Sequence, residues 1–255
     1  MKRLLTALFL VPFVVWVVLW ANDWVFLAVL ALGACLSYRE YDEIAGGYGF
    51  GRPGILGYGA GLCLLAWWDA TWLILVIIAL AALVMVMRAP DLATGLPRAA
   101  LLVTGVVYIF GCWKCARPLH EINPHWLMYA MMLNWIGDTG AYVVGRTIGR
   151  HKLAPRVSPK KTWEGAIASV VVAVAAGVLY LWRFIPSVPI EVAIPLTAVV
   201  NMAGQLGDLA ESAMKRGANL KDSGGLLPGH GGFLDRVDST LFALPVVWAW
   251  VALRG

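Results

Sequence analysis

Apolar runs such as "WLILVIIALAALVMVM", Trp72 to Met87, recur along this chain and limit what it can fold into. A hydrocarbon layer roughly 30 Å thick takes about 20 mostly apolar residues per helical crossing. Inside lipid every backbone N–H and C=O must find its partner within the protein, which leaves helices or closed barrels. Barrel strands alternate polar and apolar positions, and these runs do not. The chain is 60% hydrophobic and 14% charged, against about 45–50% and about 25% for an average soluble domain. The expectation is an all-α integral membrane protein, a polytopic bundle of about eight or nine transmembrane helices.

Hydropathy places the spans at Leu4–Trp20, Trp24–Ser37, Gly54–Trp68, Trp72–Met87, Ala99–Trp113, Trp126–Val144, Gly165–Trp182, Val192–Ala213 and Leu234–Leu253. The second and third are short for a crossing and are open to a tilted, interfacial or re-entrant reading. Lys2 and Arg3 before an apolar run resemble a signal peptide, but no small-residue cleavage site follows "VVLWAND", so a retained helix is expected. With nine crossings and a cytoplasmic N-terminus, Lys2, Arg3, Arg39, Arg52, Arg88, Arg98, the Arg146–Lys161 cluster, Lys215, Arg216, Lys221 and Arg236 all lie inside. Only Lys114, Arg117, Arg183 and Arg254 lie outside. That is the positive-inside bias of a multi-pass cell-membrane protein with its basic loops in the cytoplasm. The net charge of +5 follows from those loops and requires no nucleic acid.

No linker or composition break divides the chain. It reads as a single transmembrane domain, 1–255, with a helical scaffold over 1–125 and the chemistry over 126–255. In the scaffold, Gly57 and Gly61 have the GxxxG spacing that lets helices approach closely. Arg39, Glu40, Asp42 and Glu43 read as a solvated cytoplasmic loop. The GxGxxG match at Gly49, Gly51 and Gly54 contains Pro53 and follows no strand, so it is no dinucleotide motif. Cys112 and Cys115 form a CxxC without further ligands nearby and read as packing residues.

The second half carries polar stripes on otherwise apolar helices. Asn134, Asp138 and Tyr142 recur at steps of four; Asp208, Glu211, Ser212 and Lys215 follow helical spacing; Asp235, Asp238 and Ser239 repeat it. An ionisable group in hydrocarbon costs about 2.5–3.5 kcal/mol on insertion scales, so such residues point to function. Clustered carboxylates without cysteine or histidine partners are hard oxygen ligands and favour Mg²⁺. Lys160, Lys161, Lys215, Arg216, Lys221 and Arg236 suit a highly anionic substrate. The glycines of "DSGGLLPGHGG" allow backbone amides to approach phosphate. His230 reads either as a phosphate-orienting acid or as a hydrogen-bonded turn residue. "SPKKTWEG" starts a helix behind two lysines, which suits an anion site and equally an interfacial anchor.

The segment "SAMKRGANLKDSGGLLPGHGGFLDRVD", Ser212 to Asp238, resembles the signature of the phosphatidate cytidylyltransferases (CDP-diacylglycerol synthases). Ser212, Met214, Lys215, Arg216, Lys221, Asp222, Gly224, Leu227, Pro228, His230, Gly231, Gly232, Phe233, Asp235, Arg236, Val237 and Asp238 fill it without a gap. "GDTGAY", "SPKKTWEG" and "GDLAES" also resemble the family, so the likeness covers the C-terminal half. The resemblance implies an Mg²⁺-dependent nucleotidyltransferase of phospholipid biosynthesis, which moves CMP from CTP to phosphatidic acid and yields CDP-diacylglycerol and pyrophosphate. It also implies a second, monovalent cation such as K⁺, and a homodimer.

Carried onto this sequence, the resemblance makes Asp208 and Asp235 the metal-binding acids, with Asp222 and Asp238 supporting them. Lys215, Arg216, Lys221, His230 and Arg236 complete the expected catalytic set. Ser158, Lys160, Lys161, Gly231 and Gly232 are the expected nucleotide-binding positions. Two alternatives stand beside this reading. One is another CTP-using membrane enzyme, a polyprenol kinase or a cytidylyltransferase for a different lipid. The other is an ion-coupled transporter, for which the shared Gly-Asp core of "NWIGDTGAY" and "GQLGDLAES" is a faint repeat.

Overall fold

The computed structural model describes residues 2–89, 91–226 and 231–254, with side chains from residue 8 onward. The described residues form nine helices: α1 (Lys2–Trp20), α2 (Asp23–Gly46), α3 (Gly54–Ala66), α4 (Thr71–Val86), α5 (Leu92–Ile122), α6 (Pro124–Thr147), α7 (Trp163–Phe184), α8 (Ile190–Gly217) and α9 (Leu234–Ala252). Of these, α2, α5, α7 and α8 are long and apolar enough to cross a membrane. The fold is that of an all-α membrane protein. It adds one small feature that hydropathy did not suggest: an antiparallel hairpin of β1 (Lys152–Ala154) and β2 (Ser158–Thr162) between α6 and α7.

Helix starts follow local chemistry. Asn22 accepts the Val25 N–H at 2.9 Å, Asn123 accepts that of His125 at 3.0 Å ahead of Pro124, and Thr162 accepts that of Gly165 at 3.2 Å. Each satisfies a donor that a helix start leaves unpaired. Helix ends are where the sequence reading falls short. The expected second span stopped at Ser37, whereas α2 continues to Gly46. The residues read as a solvated loop are its last turns. Arg39 and Glu43 pair at 3.4 Å one turn apart, whereas Glu40 is only 3% exposed and Asp42 9%. The Asp42 carboxylate accepts the Gly54 N–H at 2.7 Å, so charge on this face of α2 turns inward to protein partners.

The chain divides into two compact units. One comprises residues 1–17, 21–117 and 214–237. Its core is aromatic: the fully buried Tyr38 packs edge-on against Tyr58 at 4.8 Å between ring centroids and lies 5.2 Å from Phe110. Gly57 and Gly61 make this possible. A Cβ on Gly57 would collide with the Tyr38 ring, and one on Gly61 with that of Phe110. Within α5 a π-type turn spans Val106–Gly111, next to the two cysteines, which form no disulfide.

The second unit comprises residues 18–20, 118–213 and 238–255. Here α6 and α7 approach closely: a Cβ on Gly165 would lie 2.9 Å from the Ala141 carbonyl oxygen. A polar seam joins α6, α7 and α8. Ser169 Oγ and Gln205 Nε2 donate to Asn201 Oδ1 at 3.2 and 2.8 Å, and Asn134 Nδ2 donates to the Ala130 carbonyl at 3.0 Å. A side chain on Gly137 or Gly204 would intrude on this seam.

Replacing Gly61 by Leu should therefore overpack the first unit against Phe110 and cost about 1–3 kcal/mol. A melting temperature in detergent several degrees below wild type is the expected result, and an unchanged one would mean that α3 can move aside freely.

Candidate active site

The second unit contains a cleft of about 610 Å³ whose walls come from four successive elements. Helix α6 contributes Asp138, Tyr142 and Arg146, the hairpin Lys152, Lys160 and Lys161, α7 Gly165 and Ser169, and α8 Gln205 and Asp208. The hairpin is tied to the first turn of α7. The Glu164 carboxylate takes the His151 ring Nδ1 at 2.6 Å and the His151 backbone N–H at 3.2 Å. That anchoring brings Lys161 to Asp208, where Nζ meets Oδ2 at 2.5 Å. Ser212 Oγ donates to the other Asp208 oxygen at 3.3 Å, and the Asp208 side chain remains 30% exposed. On α6, Arg146 donates to the Tyr142 hydroxyl at 2.6 Å, which leaves its remaining donors available to the cleft. Four cations therefore face two carboxylates, Asp138 and Asp208, in a partly sheltered hollow. A ligand with several negative charges fits that balance, and Arg and Lys are the usual donors to phosphate oxygens.

The first unit holds a second concentration of charge. Its centre is an ion pair between Lys215, at the end of α8, and Asp235, in the first turn of α9, with side chains 9% and 7% exposed. The Asp235 carboxylate also accepts the Gly232 N–H at 2.9 Å and the Ser223 N–H at 3.2 Å. Gly231 has φ +82°, a left-handed conformation that suits glycine, and a Cβ there would sit 2.8 Å from Asp235 Oδ2. The glycines of this loop thus let the backbone fold around a carboxylate of the protein itself. Lys221, Asp222, Arg216 and Arg236 are exposed, with Arg216 donating to the Leu220 carbonyl at 3.0 Å.

The expected site residues therefore fall into two groups. Lys160, Lys161 and Asp208 come together in the cleft, with Ser158 on the same β2 strand. Lys215, Asp235, Gly231 and Gly232 come together around the buried pair, with Lys221 and Asp222 in the adjoining loop. Asp238 belongs to the second unit and is buried in α9, where a side chain on Gly207 would press against its carbonyl oxygen at 2.6 Å. His230 lies outside the described residues.

The sequence reading did not assign Arg146 or Lys152 to a site, although it had noted the basic run that contains them. It reads Glu40 as part of a solvated loop and gives Ser223 no role. Ser223 Oγ donates to the Glu40 carboxylate at 2.7 Å across most of the chain length, and no spacing rule could reveal such a pair.

A cytidylyltransferase family model matches residues 1–254. The chain belongs to that family. Among curated relatives, the phosphatidate cytidylyltransferase of Staphylococcus haemolyticus is 44% identical over 123 residues, 48% of this chain and 47% of that protein. The phosphatidate cytidylyltransferase of Bacillus subtilis is 40% identical over 156 residues, 60% of this chain and 58% of that protein. That of Staphylococcus aureus strain COL is 42% identical over 123 residues, again 48% of this chain and 47% of its own length. The chain thus spans about half the length of the curated relatives it matches.

The buried pair gives the chain a measurable weak point. Replacing Lys215 by Met should strand the Asp235 carboxylate and cost roughly 3–5 kcal/mol. Adding Asp235→Leu should restore much of the lost melting temperature without restoring activity. Equal melting of the single and double variants would show that the two charges are not coupled.

Proposed function

We propose that the chain catalyses transfer of CMP from CTP to phosphatidic acid, releasing pyrophosphate and forming CDP-diacylglycerol. The observation that supports this most directly is the cleft: four cations around an accessible carboxylate, in a chain whose family and relatives' names point to cytidylyl transfer. In the reaction a phosphate oxygen of the lipid forms a bond to the α-phosphorus of CTP, and the bond from that phosphorus to the bridging oxygen breaks. The electron pair leaves with pyrophosphate. The attacking oxygen is already anionic, so the protein has little proton transfer to perform. Its tasks are to bring two anions together and to offset charge on the leaving group, and positioning and electrostatics dominate such transfers.

In this reading Arg146, Lys152, Lys160 and Lys161 hold the phosphates. Asp208 suits a divalent cation: its carboxylate is accessible, and Mg²⁺ is commonly held by one or two carboxylates together with water and substrate oxygens. When bound, the ion would neutralise phosphate charge and polarise the reacting phosphorus. Asp235 is differently placed: its side chain is 7% exposed against 30% for Asp208, and Lys215 and two backbone N–H groups occupy its oxygens. A cation there would have to displace Lys215. We therefore assign Asp235 to holding Lys215 and the loop, and Asp208 to the metal. The basic cleft would face the cytoplasm of a cell membrane, the side on which CTP is available and on which positive loops are retained.

The test uses purified protein in mixed micelles with phosphatidic acid, Mg²⁺ and CTP labelled at either the α- or the γ-phosphorus. Label from the α position in the lipid product is the expected outcome, and label from the γ position would indicate a kinase instead. Asp208→Asn should lower turnover at least about 100-fold, and EDTA should abolish it. No lipid labelling from either form of CTP would overturn the reading.

A further inference from the structure

Glu40 is the acid that the reaction just described does not use, and its surroundings are unusual for a residue near the end of an apolar helix. It is 3% exposed, and its two oxygens take three donors from the signature segment. Oε2 accepts from Ser223 Oγ and from the Leu234 backbone N–H, both at 2.7 Å, and Oε1 accepts from the Phe233 N–H at 2.9 Å. Helix α9 begins at Leu234, so two of these are donors that a helix start leaves unpaired. A carboxylate at that position also meets the positive end of the helix dipole. In effect α2 caps α9 from outside.

Ser223 carries the constraint one step further. Its Oγ accepts the Asp235 N–H at 3.3 Å while its own N–H donates to Asp235 Oδ2 at 3.2 Å, and Asp235 in turn holds Lys215. Space for this network is reserved. A Cβ on Gly232 would collide with both Ser223 Oγ and the Glu40 carboxylate, and one on Gly224 would lie 2.6 Å from Glu40 Oε1.

We propose that Glu40 is a positioning residue for the transfer reaction, fixing Ser223 and the start of α9 so that Asp235 presents Lys215 in a working geometry. The inference rests on the cytidylyl-transfer reading above. Glutamine at this position has nearly the same volume and preserves the packing, but its amide cannot accept at both oxygens. Whichever way the group turns, at least one N–H of α9 faces an NH₂ donor.

The experiment compares wild type with Glu40→Gln, Glu40→Asp, Ser223→Ala and the control Glu43→Gln, which removes a charge from the same helix at its exposed Arg39 pair. Turnover with CTP and phosphatidic acid is measured together with melting temperature and backbone deuterium exchange at Phe233 and Leu234. Glu40→Gln should lower kcat about 10- to 100-fold with little change in KM for CTP, and should speed exchange at both amides. Glu40→Asp should recover part of the loss, Ser223→Ala should lower kcat without a comparable fall in melting temperature, and Glu43→Gln should behave as wild type. Wild-type kcat in Glu40→Gln overturns the proposal, as does wild-type exchange at the two amides. Should Glu40→Gln fail to fold, Ser223→Ala decides: an unchanged kcat there overturns the proposal. If wild type itself transfers no cytidylyl group, the substrate reading falls, while exchange in Glu40→Gln still decides whether the latch exists.

Discussion

Hydrocarbon offers no hydrogen-bond partner, and that single property governs how this chain can place its chemistry. Backbone groups in lipid must pair within the protein, so the spans are helices, and irregular backbone is confined to places buried in protein or open to water. The loop 218–226 and the β1–β2 hairpin are two stretches of irregular backbone outside the helices. The hairpin is also where cations gather, with Lys152, Arg156, Lys160 and Lys161, because Lys and Arg side chains cost least where they can reach water or an anionic partner. Some of the polar groups that remain among the helices are paired with one another. Ser169 and Gln205 both donate to Asn201 Oδ1, and Gln205 also donates to the Ala166 carbonyl, so these side chains tie α7 to α8.

The same constraint explains why Asp208 and Asp235 have different surroundings. Removing two charges from water costs several kcal/mol each unless geometry and further hydrogen bonds compensate. The Lys215–Asp235 pair meets that demand through the amides of Ser223 and Gly232. Asp208 has a more accessible carboxylate, with Lys161 at one oxygen and Ser212 at the other. Two carboxylates equally prominent in the sequence thus differ in what their surroundings permit.

Much of this architecture was legible beforehand because lipid leaves so few solutions. Each hydropathy span corresponds to a helix, and the GxxxG spacing of Gly57 and Gly61 did mark a tight contact. The signature itself pointed to the residues around Asp235. Helix ends were poorly legible, because hydropathy stops reporting where charge begins, whereas α2 runs on for two further turns with Glu40 and Asp42 turned inward. The hairpin was missed for a related reason. Its strands are short and polar, and its place is set by the His151–Glu164 contact to α7, which no periodicity encodes.

Glu40 is the sharpest instance of that limit. In sequence it is one acid among several at the end of an apolar run, and a solvated face is the ordinary explanation for such a cluster. Its meaning comes from partners at Ser223, Phe233 and Leu234, which only the folded chain brings near. Electrostatic catalysis depends on groups held in place before the substrate arrives, since reorganisation during the reaction would cost what the charges contribute. A loop rich in glycine cannot hold itself, because each glycine gives up more conformational freedom on ordering than any other residue. An external carboxylate that takes three donors at once supplies the missing rigidity. The N-terminal helices then do more than fill the membrane: one of them sets the shape of the loop on which the charged pair is built.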